Sequence, residues 1–185
     1  MEYFEVFNAD RTEAGRVEER SVVHARGLWH RTVHVWIHRY GKALLFQKRG
    51  RTKDSHPGLW DVSAAGHIGA GETPEQTAWR ETEEELGLTI RKNELRFIEE
   101  TSRTHISRGG AFIDNEITYV YLYEFSGEAS GLSPDPAEVD AIRFIEINDL
   151  RNMLKDTQER PFFVPYDHGY YEHIISLVEK RTRFK

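Results

Sequence analysis

The sequence contains no cysteine. Disulfide bonds, thiolate metal sites and thiol-based catalysis are therefore all excluded. The chain also lacks any apolar run close to the ~20 residues of a membrane-spanning helix. Its first residues, Met1–Glu5, lack the basic-then-apolar form of a signal peptide. We therefore expect a soluble cytoplasmic protein without a membrane partner.

An excess of basic residues is also missing. The chain has 25 Lys and Arg residues against 31 Asp and Glu residues, which gives a formal net charge of −6. Proteins that bind nucleic acid polymers usually carry a basic face and a high pI, so we expect no nucleic acid partner. With 185 residues, the chain is long enough for one domain with a sizeable core and short for two. We expect residues 1–185 to form a single domain.

Hydrophobic periodicity and turn residues predict a mixed α/β fold. The strands are expected at residues 3–7, 16–20, 33–38, 43–48, 60–65, 94–102, 116–125 and 139–146, and the helices at 74–86, 148–157 and 168–180. A turn at Gly41 would join the third and fourth strands into a hairpin. Arg103–Gly110, with its glycine pair and basic residues, is expected to be a loop that covers the substrate.

The start and the end of the helix over residues 74–86 are the most clearly marked. Thr73 is a good N-cap, Pro74 suits the first helical position, and Gln76 completes a capping box three residues after the cap. Gly87 suits the left-handed position that ends a helix.

Three glutamates share one face of this helix. Glu81, Glu84 and Glu85 are spaced i, i+3 and i+4, so their side chains converge. Like charges at this spacing repel each other, but they become favourable around a hard divalent cation such as Mg²⁺, which takes oxygen ligands. Taken alone, the pattern also fits a solvated acidic helix face.

The wider segment GHIGAGETPEQTAWRETEEELGL decides between these interpretations. Seven positions resemble the Nudix box, the loop–helix–loop over residues 66–88 that binds metal and diphosphate in the Nudix family. They are Gly66, Glu72, Arg80, Glu81, Glu84, Glu85 and Gly87. Thr82 departs from the pattern, since the family usually has an aliphatic residue there. The resemblance implies an α/β/α sandwich around a mixed β-sheet.

The resemblance also implies roles for these positions. Glu81, Glu84 and Glu85 would hold one or more Mg²⁺ ions, or Mn²⁺ in their place, with the Gly66 carbonyl nearby. Arg80 would orient a glutamate in the catalytic centre. Glu72 would brace the loop. The general base stays open among Glu84, Glu85 and a residue outside the box. The implied reaction is hydrolysis of a diphosphate linkage in a small organic diphosphate, such as a nucleoside or isoprenoid derivative.

Further segments resemble one branch of the family. Leu44–Arg49, Pro57–Asp61 and Ser63–His67 are similar to type I isopentenyl-diphosphate isomerase and its hydrolase relatives. Residues 30–36 also resemble a plant Nudix hydrolase. In this branch, residues 1–30 would add an N-terminal β extension.

Ala65 bears on which reaction the chain catalyses. It stands where the isomerases have a cysteine that takes part in proton transfer. An alanine methyl group cannot transfer a proton, and the box is complete, so hydrolysis is favoured. An isomerase-like enzyme and a non-catalytic, nucleotide-binding regulatory domain remain the alternatives.

Two basic residues and one aromatic residue are candidates for substrate binding. Arg49 and Lys53 lie where this branch keeps cations facing the diphosphate. Trp36 would stack on a base or flank an isoprenoid, or else it belongs to the core.

An accessory metal or substrate site, with Glu116 as its main member, is one interpretation of a further group of residues. Asp114 and Glu116 are two residues apart on a strand, so they share a face, and His67 follows the box glycine. His24 and His34 are weaker candidates for the same site. The alternative is that the strand histidines are hydrogen-bonded core residues. The oligomeric state stays open, with a homodimer as one option.

Overall fold

Nine strands and four helices make up the described part of the chain, which is residues 1–91, 93–167 and 169–182 of a computed structural model. The strands are β1 (Tyr3–Phe7), β2 (Glu13–Glu19), β3 (Trp29–Arg39), β4 (Ala43–Arg49), β5 (Trp60–Asp61), β6 (Ala64–His67), β7 (Arg96–Ser107), β8 (Phe112–Glu124) and β9 (Val139–Glu146). The helices are α1 (Arg20–Arg26), α2 (Pro74–Leu86), α3 (Ile147–Lys155) and α4 (Tyr170–Thr182). No helix within the described ranges combines the length and the hydropathy needed to cross a bilayer.

Strand β3 organises the sheet. It pairs antiparallel with β1, β4 and β6, and parallel with β8 over ten residues. Strands β7 and β8 form a long antiparallel hairpin, and β9 adds to the outer side of β4. The hairpin of β1 and β2 joins the sheet through Phe7 and Trp29, and it forms the expected N-terminal extension.

Alternation along β3 places a separate core on each face of the sheet. Val33, Val35 and Ile37 pack against α2, in a cluster that includes Ala78 and Leu86. The opposite face packs against α3 and α4, in a cluster that includes Trp36, Phe46, Val120, Leu150 and Ile174. The result is the expected α/β/α sandwich around a mixed sheet. The C-terminal half of α2, which carries the glutamates, lies against β6.

Helix α2 has the predicted ends. The Thr73 hydroxyl accepts from Gln76 N at 3.3 Å, and Thr73 N donates to the Gln76 side chain at 2.9 Å, which completes the capping box. Gly87 is left-handed with φ 63°, and its N–H donates to Glu83 O at 2.9 Å. These cap hydrogen bonds join residues three or four positions apart, so the ends of the helix can be predicted from the local sequence.

The strand expected over residues 60–65 is wrong, because it is two strands. Strand β5 pairs with β4, whereas β6 pairs with β3. Between them, the Ser63 hydroxyl donates to Leu45 O at 2.6 Å and accepts from Ile37 N at 2.8 Å. A side chain thus replaces the ladder hydrogen bonds at this point, which an apolar alternation pattern cannot reveal.

Two other expectations also need correction. The strand expected over residues 16–20 has different bounds, because β2 spans Glu13–Glu19 and the chain enters α1 at Arg20. Arg103–Gly110 is not a covering loop, because β7 continues to Ser107 and leaves only a short turn over Arg108–Gly110. The expected start of the last helix, at residue 168, lies outside the described residues, and α4 is described from Tyr170.

Candidate active site

A cleft of about 640 Å³ lies where α2 meets β3, β6 and the loop between β4 and β5. Most of the residues that the sequence singled out line this cleft: Arg49, Lys53, Gly66, His67, Glu72, Arg80, Glu81, Glu84, Asp114 and Glu116. Glu85 lies directly behind the wall, where it contacts Lys53. The β3 residue Trp36 does not line the cleft.

Arg80 joins three glutamates. Its Nε and Nη2 atoms donate to the two oxygens of Glu72 at 3.1 Å each, as a bidentate pair. Its Nη1 donates to Glu81 Oε1 at 2.8 Å and to Glu84 Oε2 at 2.9 Å. Glu72 also accepts from Gly69 N at 2.9 Å. The arginine therefore fixes the direction of two carboxylates on α2, while Glu72 ties the preceding loop to the helix.

Glu81 is pressed against Gly66. A Cβ atom added at Gly66 would lie 2.0 Å from the carboxyl carbon of Glu81, so only glycine leaves room for that group. Burial, followed by the charges of Glu85 and Glu84, raises the pKa of Glu81 to about 8. A raised pKa of this kind indicates a carboxylate that is buried and held close to other carboxylates. A divalent cation with oxygen ligands fits such a set of donors.

Glu85 is buried, with 1% of its surface exposed. Its Oε2 accepts from Gln47 Nε2 at 2.8 Å and from Ala65 N at 3.0 Å, and its Oε1 accepts from Lys53 Nζ at 3.2 Å. Burial raises the pKa of Glu85, and the charge of Lys53 offsets only part of that effect. The carboxylate is thus anchored to β4 and β6 through Oε2, and its Oε1 contacts the Lys53 ammonium group at the cleft.

The basic candidates are held differently from each other. Lys53 lies between Glu85 and Glu138, and 22% of its side chain is exposed. Arg49 donates to Asp61 Oδ2 at 2.8 Å and, through Nε and Nη2, to the carbonyl and hydroxyl of Ser55. Lys53 therefore offers a point charge to the cleft, whereas the Arg49 guanidinium already holds the neighbouring loop in place.

Trp36 is a core residue, so the expectation that it binds substrate is wrong. It is fully buried, packs edge-on against Phe46 at 5.4 Å, and donates from Nε1 to Tyr170 Oη at 3.1 Å. The reason is its position on β3, where alternation turns it toward α4. No surface of the indole is left for a base or a hydrocarbon chain.

Three histidines and one aspartate form a second group beside the carboxylate helix. His24, His30, His67 and Asp114 each offer one ligand atom, and these atoms all lie within 4.8 Å of one another. The Nε2 atoms of His30 and His67 are buried and have no hydrogen-bond partner, and the buried His24 Nε2 lies 3.0 Å from Asp114 Oδ1. Such orphaned polar atoms are rare in folded proteins, because each costs the free energy of its lost hydration.

The hydrogen bonds of two of these histidines determine where their protons lie. Nδ1 of His24 lies 2.7 Å from Arg20 O, and Nδ1 of His30 lies 3.0 Å from Leu28 O. A carbonyl can only accept, so each Nδ1 carries the proton and each Nε2 keeps its lone pair in the neutral ring. This is the second hydrogen bond that metal-binding histidines usually make. The donor set therefore fits a metal ion.

The sequence chose part of this group correctly. His67, Asp114 and His24 belong to it, but His34 does not, and His30 takes its place. The signal that could have identified His30 is the strand itself: β3 begins at Trp29, and His30 is paired with Glu116 in the parallel register. The sequence pattern started the strand at Val33, four residues late.

Glu116 lies next to this group but faces Arg103. Arg103 Nε donates to Glu116 Oε2 at 2.5 Å, and the Arg103 guanidinium lies over the ring of Tyr166 at 4.8 Å. Burial raises the pKa of Glu116, but the charge of Arg103 and the neighbouring histidines outweigh it, so the pKa is lowered. Sequence reasoning missed Arg103 as a cleft residue, because it placed this segment in a loop.

The layered fold and the carboxylate-bearing loop–helix–loop at the end of its sheet are those of a Nudix domain. The model of the NUDIX domain family matches residues 28–165. The chain therefore belongs to the Nudix family, and it is a hydrolase of that family.

Three similar proteins place the chain further. It is 38% identical over 188 residues to Nudix hydrolase 3 of Arabidopsis thaliana, and the match covers 98% of this chain but only 24% of that protein. It is 30% identical over 163 residues to an isopentenyl-diphosphate Delta-isomerase of Cereibacter sphaeroides, covering 88% of each. A crystal structure of a Deinococcus radiodurans protein shares the fold with a TM-score of 0.67, at 18% identity and over 97% of this chain and 98% of that chain. The resemblance to the isomerase branch is thus confirmed.

Proposed function

We propose that the protein is a magnesium-dependent hydrolase that cleaves the linkage between two phosphates in a small organic diphosphate. Water adds to one phosphorus, and the other phosphate leaves with the electrons of the bridging bond. The observation that carries the proposal is the convergence of Glu81, Glu84 and Glu85 on a cleft that also holds Lys53 and Arg80.

The residues of the box divide into two functions in this proposal. Glu81, Glu84 and Glu85, with the Gly66 carbonyl, hold Mg²⁺, for which Mn²⁺ can substitute. A cation bound there neutralises the diphosphate and lowers the pKa of an attacking water. Arg80 keeps two of these carboxylates turned toward the cleft through its hydrogen bonds.

Lys53 is the cation that we assign to the substrate. Its Nζ atom is shared between Glu85 and Glu138 at the cleft surface, so a phosphate oxygen can approach it without an uncovering step. Arg49 contributes mainly by holding the loop that carries Lys53 and Ser55, since each of its three guanidinium nitrogens donates to Asp61 or Ser55.

Ala65 supports hydrolysis over isomerisation. It lies in the cleft wall, and its backbone N–H donates to Glu85. Its methyl side chain carries no proton to transfer to or from a carbon atom. The backbone at this position therefore serves the carboxylate, while the side chain takes no part in acid–base chemistry.

We further propose that the group formed by His24, His30, His67 and Asp114 holds a second metal ion. Three imidazoles and a carboxylate suit Zn²⁺ or Mn²⁺ better than Mg²⁺, which prefers oxygen ligands. Since residues from α1 and from β3, β6 and β8 meet there, this ion would join the N-terminal extension to the rest of the sheet. Residues 1–185 would then act as a single domain.

The second metal site predicts a gain in thermal stability. Zn²⁺ at about a hundred times its Kd should stabilise the fold by about 2.7 kcal/mol, which corresponds to about 5–10 °C in Tm. His30→Gln should lose most of that gain, because it removes an Nε2 ligand. His38→Gln, on the same strand but outside the group, should keep it. Equal gains in both variants, measured by calorimetry, would refute the site.

The proposed reaction is tested on a substrate panel. Release of phosphate and pyrophosphate is measured with Mg²⁺ and with a chelator, from nucleoside diphosphates, nucleotide sugars, dinucleotides and isopentenyl diphosphate. Metal-dependent release from one class supports the hydrolase and names its substrate. Tight binding without release would instead support a regulatory domain, and conversion of isopentenyl diphosphate without release would support an isomerase.

A further inference from the structure

A chain of three side chains, of which His34 and Trp36 are buried and Tyr170 is half-buried, lies under the floor of the cleft. Trp36 Nε1 is 3.1 Å from Tyr170 Oη, and Tyr170 Oη is 2.7 Å from His34 Nδ1. Trp36 and Tyr170 do not line the cleft, whereas His34 does. The chain therefore runs from the core beside α4 to the surface that faces the substrate.

The direction of the protons in this chain follows from its first member. An indole N–H can only donate, so Tyr170 Oη accepts from Trp36. We assign the hydroxyl proton of Tyr170 to its contact with His34 Nδ1, which in this arrangement carries a lone pair. A neutral imidazole with an acceptor at Nδ1 carries its proton at Nε2. His34 is thus held in one tautomer by two residues that the substrate does not reach.

The other ring nitrogen of His34 has no hydrogen-bond partner among the described residues. Burial, followed by the charge of Arg103, lowers the pKa of His34 to about 4, so the ring is neutral at pH 7. It contacts the edge of Tyr166, with ring centroids 5.3 Å apart. Arg103 lies over the same Tyr166 ring, and it donates to Glu116 through Nε.

Two sets of donors therefore flank Tyr166 in the cleft wall. The Tyr166 hydroxyl is already used, because it donates to Asp61 Oδ1 at 2.5 Å. Asp61 and Glu116 are in turn paired with Arg49 and Arg103. What this corner offers a ligand is N–H groups, and phosphate oxygens, which only accept, match them.

We infer that the Nε2–H of His34 and the terminal guanidinium nitrogens of Arg103 bind oxygens of a substrate phosphate, with Tyr170 as the positioning residue for His34. This inference rests on the proposed hydrolysis of an organic diphosphate. It adds a phosphate contact on the wall formed by β3 and β7, separate from Lys53 and the box helix.

The test compares two neighbouring tyrosines at the start of α4. Tyr170→Phe removes the hydroxyl that fixes the His34 tautomer, whereas Tyr171→Phe removes a buried hydroxyl that donates to Val164 O at 2.9 Å. The first variant should raise KM about five- to tenfold with kcat within twofold, as expected for one misdirected hydrogen bond. The second should leave KM unchanged. Equal KM values in the two variants would overturn the assignment.

An NMR measurement keeps this inference separate from the proposed function. In the full-length protein, ¹⁵N shifts of His34 should show the proton at Nε2, and a mixture of tautomers in Tyr170→Phe. Titration with inorganic phosphate should shift the His34 signal, with weaker binding in Arg103→Lys, even if no diphosphate is hydrolysed. A proton at Nδ1, or no response of His34 to phosphate, would overturn the inference whatever the activity.

Discussion

Replacement of Glu84 by glutamine is expected to lower kcat about a thousandfold, the upper end of the loss from removing one electrostatic contact in an active site. Glutamine keeps the size of the side chain and its helix propensity but removes the charge that a cation ligand needs. Glu84 is the best of the three box carboxylates for this test, because 59% of its side chain is exposed and its carboxylate accepts from Arg80 of the same helix. The fold should therefore be unaffected.

The other two carboxylates would give a less clear result. Glu85 accepts from Ala65 N and Gln47, so its loss would also disturb β4 and β6. Glu81 is packed against Gly66, and a change there would alter the loop before α2. Activity lost in either variant could reflect a damaged fold as much as a missing ligand.

Glu83→Gln is the matched control for Glu84→Gln. Glu83 is the preceding residue on the same helix, is exposed, and accepts from Thr89 rather than from any residue of the cleft. The pair is compared by steady-state kinetics with Mg²⁺, with circular dichroism and Tm as folding controls. Wild-type kcat in a folded Glu84→Gln protein, or an equal loss in Glu83→Gln, would refute the metal assignment.

Local signals in the sequence were sufficient for the box helix. Its cap at Thr73, its end at Gly87 and the shared face of its glutamates depend on residues within a few positions of one another. The hydrogen bonds that make up the capping box need no distant partner. For this reason the predicted bounds of the helix agree with the structure.

Long-range partners set the parts of the site that the sequence missed. His30 joins the histidine group only because β3 begins earlier than its alternation indicates and lies parallel to β8. Arg103 reaches the cleft because β7 pairs with β8 as far as Ser107. For Trp36 the sequence left substrate binding and the core as alternatives, and the packing of α4 against β3, which the residues of β3 do not reveal, makes it a core residue.

Asp61 should give the largest loss of stability among single substitutions in the cleft. Its carboxylate is buried, and it accepts from Arg49 Nη1 at 2.8 Å, Tyr166 Oη at 2.5 Å and Val62 N at 2.8 Å. It thereby joins β4 and β5 to the segment that precedes α4. Burial alone would raise the pKa of Asp61, but the charge of Arg49 and the hydrogen bond from the Tyr166 hydroxyl outweigh burial and lower the pKa overall. The carboxylate is therefore ionised in the folded protein.

Asp61→Asn keeps the shape but replaces one acceptor oxygen with an amide donor. Either Arg49 or the pair of Tyr166 and Val62 then faces an N–H group, and Arg49 keeps a buried charge without its counterion. Removing one partner of a buried ion pair costs about 3–5 kcal/mol, which corresponds to about 6–20 °C in Tm for a chain of this size. Asp140→Asn, which breaks a 3.9 Å pair with Arg51 at the surface, should cost less than about 1 kcal/mol.

The pH dependence of the Tm difference between wild type and Asp61→Asn shows whether the stability is lost because the carboxylate charge is missing or because the packing is altered. A carboxylate with a lowered pKa stabilises the fold above the pKa of the unfolded chain, about 3.9, and that stabilisation is lost as the pH falls through the lowered value. The Tm difference between wild type and Asp61→Asn should thus be largest near neutral pH and narrow as the pH falls below about 4. Adding Arg49→Met to Asp61→Asn should recover part of the loss, because the unpaired cation is then absent. A difference that stays constant with pH, or a double variant no more stable than the single one, would mean that the ion pair is not what joins these segments.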